Sequence, residues 1–160
     1  MAHEVIAPPY DVINAKEARD LAKGRPNSFL HISRPEIDLE ENIQYNDPSV
    51  YETGKQNLRK MIEDDVLIED AEDMIYLYEM IDNDIHQLGI AAVSSVEAYE
   101  ENLIKRHEFT KPDKELDRVN NISSLNAQTG PVLLTYRDNE KLSSLLEMIS
   151  DRETPIYDVK

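Results

Sequence analysis

The densest group of side chains able to do chemistry lies between Ile104 and Arg118, in the run Ile104-Lys105-Arg106-His107-Glu108-Phe109-Thr110-Lys111-Pro112-Asp113-Lys114-Glu115-Leu116-Asp117-Arg118. Lys105 and Arg106, with the N-terminus of a helix opening at Pro112, form a set suited to phosphate oxygens through charge and free backbone N–H groups. Glu108 or His107 is a candidate proton acceptor for a hydroxyl nucleophile. Thr110 is placed to cap the helix or meet the same anion, and Arg118 closes the basic stretch. The competing account makes His107 a half-buried strand residue and Glu108 an ion-pair partner. Spacing alone favours that account, because adjacent residues of a strand point to opposite faces.

Two further segments invite the same question. In Pro8-Pro9-Tyr10-Asp11 the prolines fix the chain path, which would hold the Tyr10 hydroxyl and Asp11 carboxylate in place. The alternative is that either side chain caps the first helix or ties down the terminus. In Ser28-Phe29-Leu30-His31-Ile32-Ser33-Arg34-Pro35-Glu36, His31 and Arg34 precede a rigid turn. An arginine before proline is more often an ion pair than a ligand contact. Common signatures are missing: four glycines supply no phosphate-binding loop, no nucleophile elbow occurs, and His3, His31, His86 and His107 lack metal-ligand spacing.

The whole chain has 160 residues, a formal charge of −16, no cysteine and 40% hydrophobic residues. That composition supports a buried core and excludes disulfides and thiolate chemistry. No apolar run reaches the ~20 residues of a membrane span, and a reducing cytoplasm is the expected location. Acidity argues against general nucleic-acid binding. The charge is concentrated: Met61 to Ile104 holds 13 acidic residues and no Lys or Arg, leaving 20 acids against 17 bases elsewhere.

The elements that must carry these residues follow from caps and periodicity. Asn14 to Glu17 reads as a capping box opening a helix that stops at Gly24. Ser28–Ile32 is a strand candidate. Asp47-Pro48 starts a helix running to about Glu63, and a turn at Asn83-Asp84 joins strands within 74–82 and 85–96. Ala98–Leu103 is a turn or short helix. Pro112 opens a helix to about Gln128, with Leu116, Val119, Ile122 and Leu125 inward and Gly130 ending it. Val132–Tyr136 is a buried-strand candidate, Leu142 to Ile149 marks a fourth helix, and Ile156–Lys160 begins a strand. The pattern predicts an α+β (mixed α/β) fold: one domain over 1–160, with a small mixed sheet, a central hairpin and about four flanking helices.

Several segments together resemble a bacterial and archaeal family, domain of unknown function 1015. They are Ala7-Pro8-Pro9-Tyr10-Asp11-Val12-Ile13, Ser28–Ile32 with Arg34-Pro35-Glu36, Val50-Tyr51, Ile104–Glu108 with Thr110, Lys114-Glu115, Asp117-Arg118 and Gly130-Pro131-Val132. They occur in the family's order across nearly the whole chain. Arg25-Pro26-Asn27-Ser28 departs from the family's Asn-Pro-x-Ser. Members are much longer and carry a later Asp-Gly-His-His-Arg-Tyr-type segment, so the resemblance implies an N-terminal portion that is inactive alone and partnered by a missing C-terminal half. That later segment is similar to one in ParB/sulfiredoxin-like nucleotide-binding proteins, including free-serine kinases. The resemblance therefore implies a small-molecule phosphotransferase, linked to serine metabolism, that uses ATP or ADP with Mg2+.

Two functions stand against each other on these grounds. In the first, a nucleotide or phosphorylated small molecule is gripped by Lys105 and Arg106, with Thr110, Arg118, Tyr10, His31 and Arg34 as further binding residues and Glu108, His107 or Asp11 as proton acceptor. In the second, a non-catalytic regulatory domain uses its acidic surface to hold a basic protein.

Overall fold

The computed structural model describes residues 2–107 and 109–159. Its internal contacts separate into two compact units. One comprises the chain up to Glu69, Thr110–Leu133 and, at the end, Val159, and the other Asp70 to Phe109 and Leu134–Asp158.

The first unit is helical. Short α1 (Ala2–Val5) precedes α2 (Ala15–Ala22). The capping box forms as the sequence predicts: Glu17 N–H donates to Asn14 Oδ1 at 3.0 Å, and Asn14 N–H to Glu17 Oε2 at 2.8 Å. Gly24 follows at φ +73°, a left-handed geometry that glycine adopts without cost. Ala18 and Ala22 bury against Leu30 and Ile37.

Ser28–Ile32 is not a strand. Turns lead into α3 (Leu30–Ser33) and a 3-10 helix (Pro35–Asp38). The reason lies in where the apolar side chains go. Leu30 joins the cluster under α2, whereas Ile32 joins Met61 and Leu125. In a strand, residues two apart share a face; a helical turn can send them to separate clusters.

Asp47 caps α4 (Pro48–Glu63) by accepting from Ser49 N–H at 2.9 Å, with Pro48 in the first turn. Val50, Tyr51, Gly54 and Met61 are its buried residues, and α4 packs on α3, the 3-10 helix and α6 (Pro112–Leu125). The face that α6 buries differs from the expected one. Leu116 and Val119 are 60% and 52% exposed, while Asp117, Asn121 and Leu125 are buried. A spacing of three drifts around a helix; positions 117, 121 and 125 follow its true repeat. The helix ends at Asn126, in the left-handed region at φ 52°, four residues before Gly130.

In the second unit, β1 (Tyr76–Asp82) and β2 (Ile85–Ala91) pair antiparallel, from Tyr76 opposite Ala91 to Asp82 opposite Ile85. Asn83, at φ 52°, opens the two-residue turn. Helices α5 (Val96–Glu100) and α7 (Glu140–Arg152) are capped by Ser95 and Asn139. Val132–Tyr136 and Ile156–Val159 are not strands, and Lys160 lies outside the described residues. An apolar run becomes a strand only where a ladder is available, and the sheet among the described residues has two strands. The fold is α+β. Its four longer helices, α2, α4, α6 and α7, are those expected, and α1, α3 and α5 add short turns. No described helix is long and apolar enough to cross a membrane.

Candidate functional site

A cleft of about 530 Å³ opens in the first unit, where the segment after Pro8-Pro9 meets the 3-10 helix, α4 and α6. Tyr10, Asp11, Arg34 and Arg118 line it together with Glu36, Tyr45, Tyr51, Lys114, Asp117 and Asn121.

Arg34 assembles one wall. It sits between α3 and the 3-10 helix, where Pro35 forbids it the helical conformation (φ −135°, ψ 57°). Its Nη1 donates to the Tyr10 and Ile13 carbonyls, both at 2.7 Å, and Nε to Glu36 Oε1 at 2.6 Å. Arg19 of α2 donates to the Glu36 carbonyl at 2.8 Å and the Leu39 carbonyl at 3.1 Å. The largely buried Arg34–Glu36 pair thus fixes Tyr10 and Asp11 against the 3-10 helix. It serves as internal bracing.

Helix α6 builds the opposite wall. Lys114, Asp117, Arg118 and Asn121 recur at helical spacing and share one face. Tyr51 Oη donates to Asp117 Oδ1 at 2.8 Å, and Arg118 Nη2 to Asp117 Oδ2 at 2.7 Å. Burial and the Asp117 hydrogen bond push the Tyr51 hydroxyl up to about 12. The Arg118 guanidinium stacks 4.7 Å from the Tyr10 ring centroid, and Lys114 Nζ lies 4.4 Å from that of Tyr45. An aromatic face restrains each cation; Arg118 is also paired with Asp117, whereas Lys114 has no ion-pair partner among the described residues. Ser33 Oγ, also at the cleft, is buried with no hydrogen-bond partner among the described residues.

The remaining candidates lie elsewhere. His31 is engaged structurally: Nδ1 meets Asp38 Oδ1 at 2.8 Å and Nε2 the Arg25 carbonyl at 3.2 Å. The hydrogen bond to Asp38 raises its pKa above the ordinary histidine value. Thr110 donates to Glu115 Oε2 at 2.9 Å, while Lys111 is the residue at the helix cap. Lys105, Arg106 and His107 belong to the second unit. There Lys105 Nζ donates to the Asn102 carbonyl at 2.6 Å, and Arg106 lies over Tyr99 at 4.7 Å. Glu108 lies outside the described residues.

Sequence reasoning did not single out Glu36, Tyr45, Tyr51, Asp117 or Asn121 as site residues, and it took Lys114 only as part of the basic stretch that ends at Arg118. A signal existed for the α6 members, because 114, 117, 118 and 121 trace one polar helical face. Tyr51 is marked only by its place in the family resemblance and Tyr45 by nothing; both reach the cleft through tertiary packing.

No curated protein and no solved structure matches the chain. One family model does, that of the Protein of unknown function (DUF1015), over residues 1–160. The chain whose Pro-Pro-Tyr-Asp segment, Arg34 bracing and α6 face enclose this cleft belongs to the DUF1015 family.

Proposed function

We propose that the chain binds a phosphorylated small molecule or nucleotide in the cleft of its first unit, as part of a small-molecule phosphotransferase. One observation carries this reading: Lys114 and Arg118, one turn apart on α6, face a common cleft, each backed by a tyrosine ring. Two ordered cations at that spacing suit the oxygens of one phosphate group. Asp11 lines the same cleft and forms no ion pair among the described residues. It is the carboxylate able to receive a hydrogen bond or proton from the substrate, or to meet Mg2+ carried by ATP or ADP.

Calorimetry with inorganic phosphate, ethyl phosphate, ADP and ATP tests this on the wild type, Arg118→Ala and Arg106→Ala. Loss of one charge-assisted contact predicts affinity about tenfold or more weaker for Arg118→Ala. Arg106→Ala should bind as the wild type does. Equal binding by Arg118→Ala, or no binding of any probe by the wild type, overturns the assignment.

A second reading, partner recognition through the acidic surface, draws on the run of 13 acids without a base from Met61 to Ile104. It predicts capture of a basic protein that weakens steeply between low and high salt. Capture indifferent to salt would remove that basis.

A further inference from the structure

The charges lining the cleft divide unevenly between those already satisfied and those open to a ligand. Three bases, Arg34, Lys114 and Arg118, face three acids, Asp11, Glu36 and Asp117. Two of the acids are engaged inside the protein. Glu36 takes the Arg34 Nε–H at 2.6 Å. Asp117 uses one oxygen for the Tyr51 hydroxyl and the other for Arg118.

What remains is one cation and one anion. Lys114 forms no ion pair among the described residues and rests on the face of Tyr45. Asp11 is exposed and likewise forms none. Arg118 adds the donors that its bond to Asp117 leaves over, its side chain being 37% exposed. A ligand bearing only negative charge would satisfy Lys114 and Arg118 while adding repulsion at Asp11, in a lining whose formal charge already sums to zero. A ligand bearing both signs would satisfy both ends.

Resting on the reading of the cleft as a phosphate site, we infer that its ligand is a zwitterion, a small phosphate ester that also carries an ammonium group. The phosphate lies against Lys114 and Arg118, and the ammonium against Asp11. Asp11 then acts as a specificity residue that selects the amine.

Calorimetry on the full chain with O-phosphoethanolamine and with ethyl phosphate, which keeps the ester and lacks the amine, tests the pairing. The wild type should bind the zwitterion about tenfold or more tightly than ethyl phosphate. Asp11→Asn should erase that preference by weakening the zwitterion, while ethyl phosphate, freed of the repulsion at Asp11, binds at least as tightly as to the wild type; circular dichroism checks that the exposed substitution keeps the fold. Equal binding of the two probes, or a preference that survives in Asp11→Asn, overturns the zwitterion while leaving the phosphate reading in place. Binding of neither overturns both.

Discussion

The Tyr51 hydroxyl donates to Asp117 at 2.8 Å and joins α4 to α6 across 66 positions of sequence. Asp117 is 7% exposed, so its second oxygen depends on Arg118 and its first on Tyr51. Tyr51→Phe should destabilise the fold by about 1–3 kcal/mol in urea titrations, the cost of a buried polar group that loses a partner. The variant should also change the alkaline limb. Burial and Asp117 hold Tyr51 protonated to about 12, above its ordinary 10.0. The stability this provides is complete below pH 10 and lost as pH rises through 12. Wild-type stability should therefore fall more steeply than that of Tyr51→Phe over this window. Parallel curves would show that the hydroxyl is not so held.

His31 should give a pH dependence near neutrality. Both groups facing its ring, the Asp38 carboxylate and the Arg25 carbonyl, can only accept, so the imidazolium satisfies both at once. Its pKa is raised above 6.5, chiefly by the hydrogen bond to Asp38. The contribution is complete below pH 6.5 and fades as pH rises through the raised value. The melting-temperature gap between wild type and His31→Gln should narrow from pH 6 to pH 9. A constant gap would mean that the charged form is not favoured by the fold.

Gly54 and Gly24 should fail for different reasons when changed to alanine. A Cβ on Gly54 would lie 2.8 Å from Pro35 Cγ, in the contact between α4 and the 3-10 helix. Gly54→Ala should cost about 1–3 kcal/mol, and Pro35→Ala in the same chain should recover part of it. Gly24 has open space around it, yet its φ of +73° is costly for any side chain. Gly24→Ala should cost about 1–2 kcal/mol with no second-site rescue. Denaturant midpoints of the single and double variants separate the two causes.

Local chemistry was the legible part of the fold. Asn14 with Glu17, Asp47 with Pro48, and Asn83 with Asp84 each specify their own backbone within four residues, and each forms as read. Ser28–Ile32 could not be read locally, because its conformation is set by two separate clusters and by Asn57 Nδ2 reaching the His31 carbonyl at 2.7 Å. On α6, apolar residues at a spacing of three drew attention from the face that packs, since Asp117 is buried only because Tyr51 and Arg118 satisfy it. The cleft shows the same division. Tyr10, Asp11, Arg34 and Arg118 stand in segments whose composition invites attention. Tyr45 and Tyr51 enter from loops and helices whose composition reveals nothing until folded.

The hairpin of β1 and β2 sets a kinetic expectation. Tyr78 is 59% exposed, and Ile81 and Ile85, near the turn, 70% and 68%. Such a ribbon draws little from buried apolar area, and two strands alone are marginal in water. Its amide protons should therefore exchange with deuterated solvent through small openings, at rates far above those of α4, whose amides await larger unfolding. Hydrogen-exchange mass spectrometry on peptides covering 76–91 and 48–63 would show the difference within minutes of labelling. Protection of the hairpin equal to that of α4 would contradict it. Opening of this kind would make the ribbon the part of the molecule whose shape responds first to temperature.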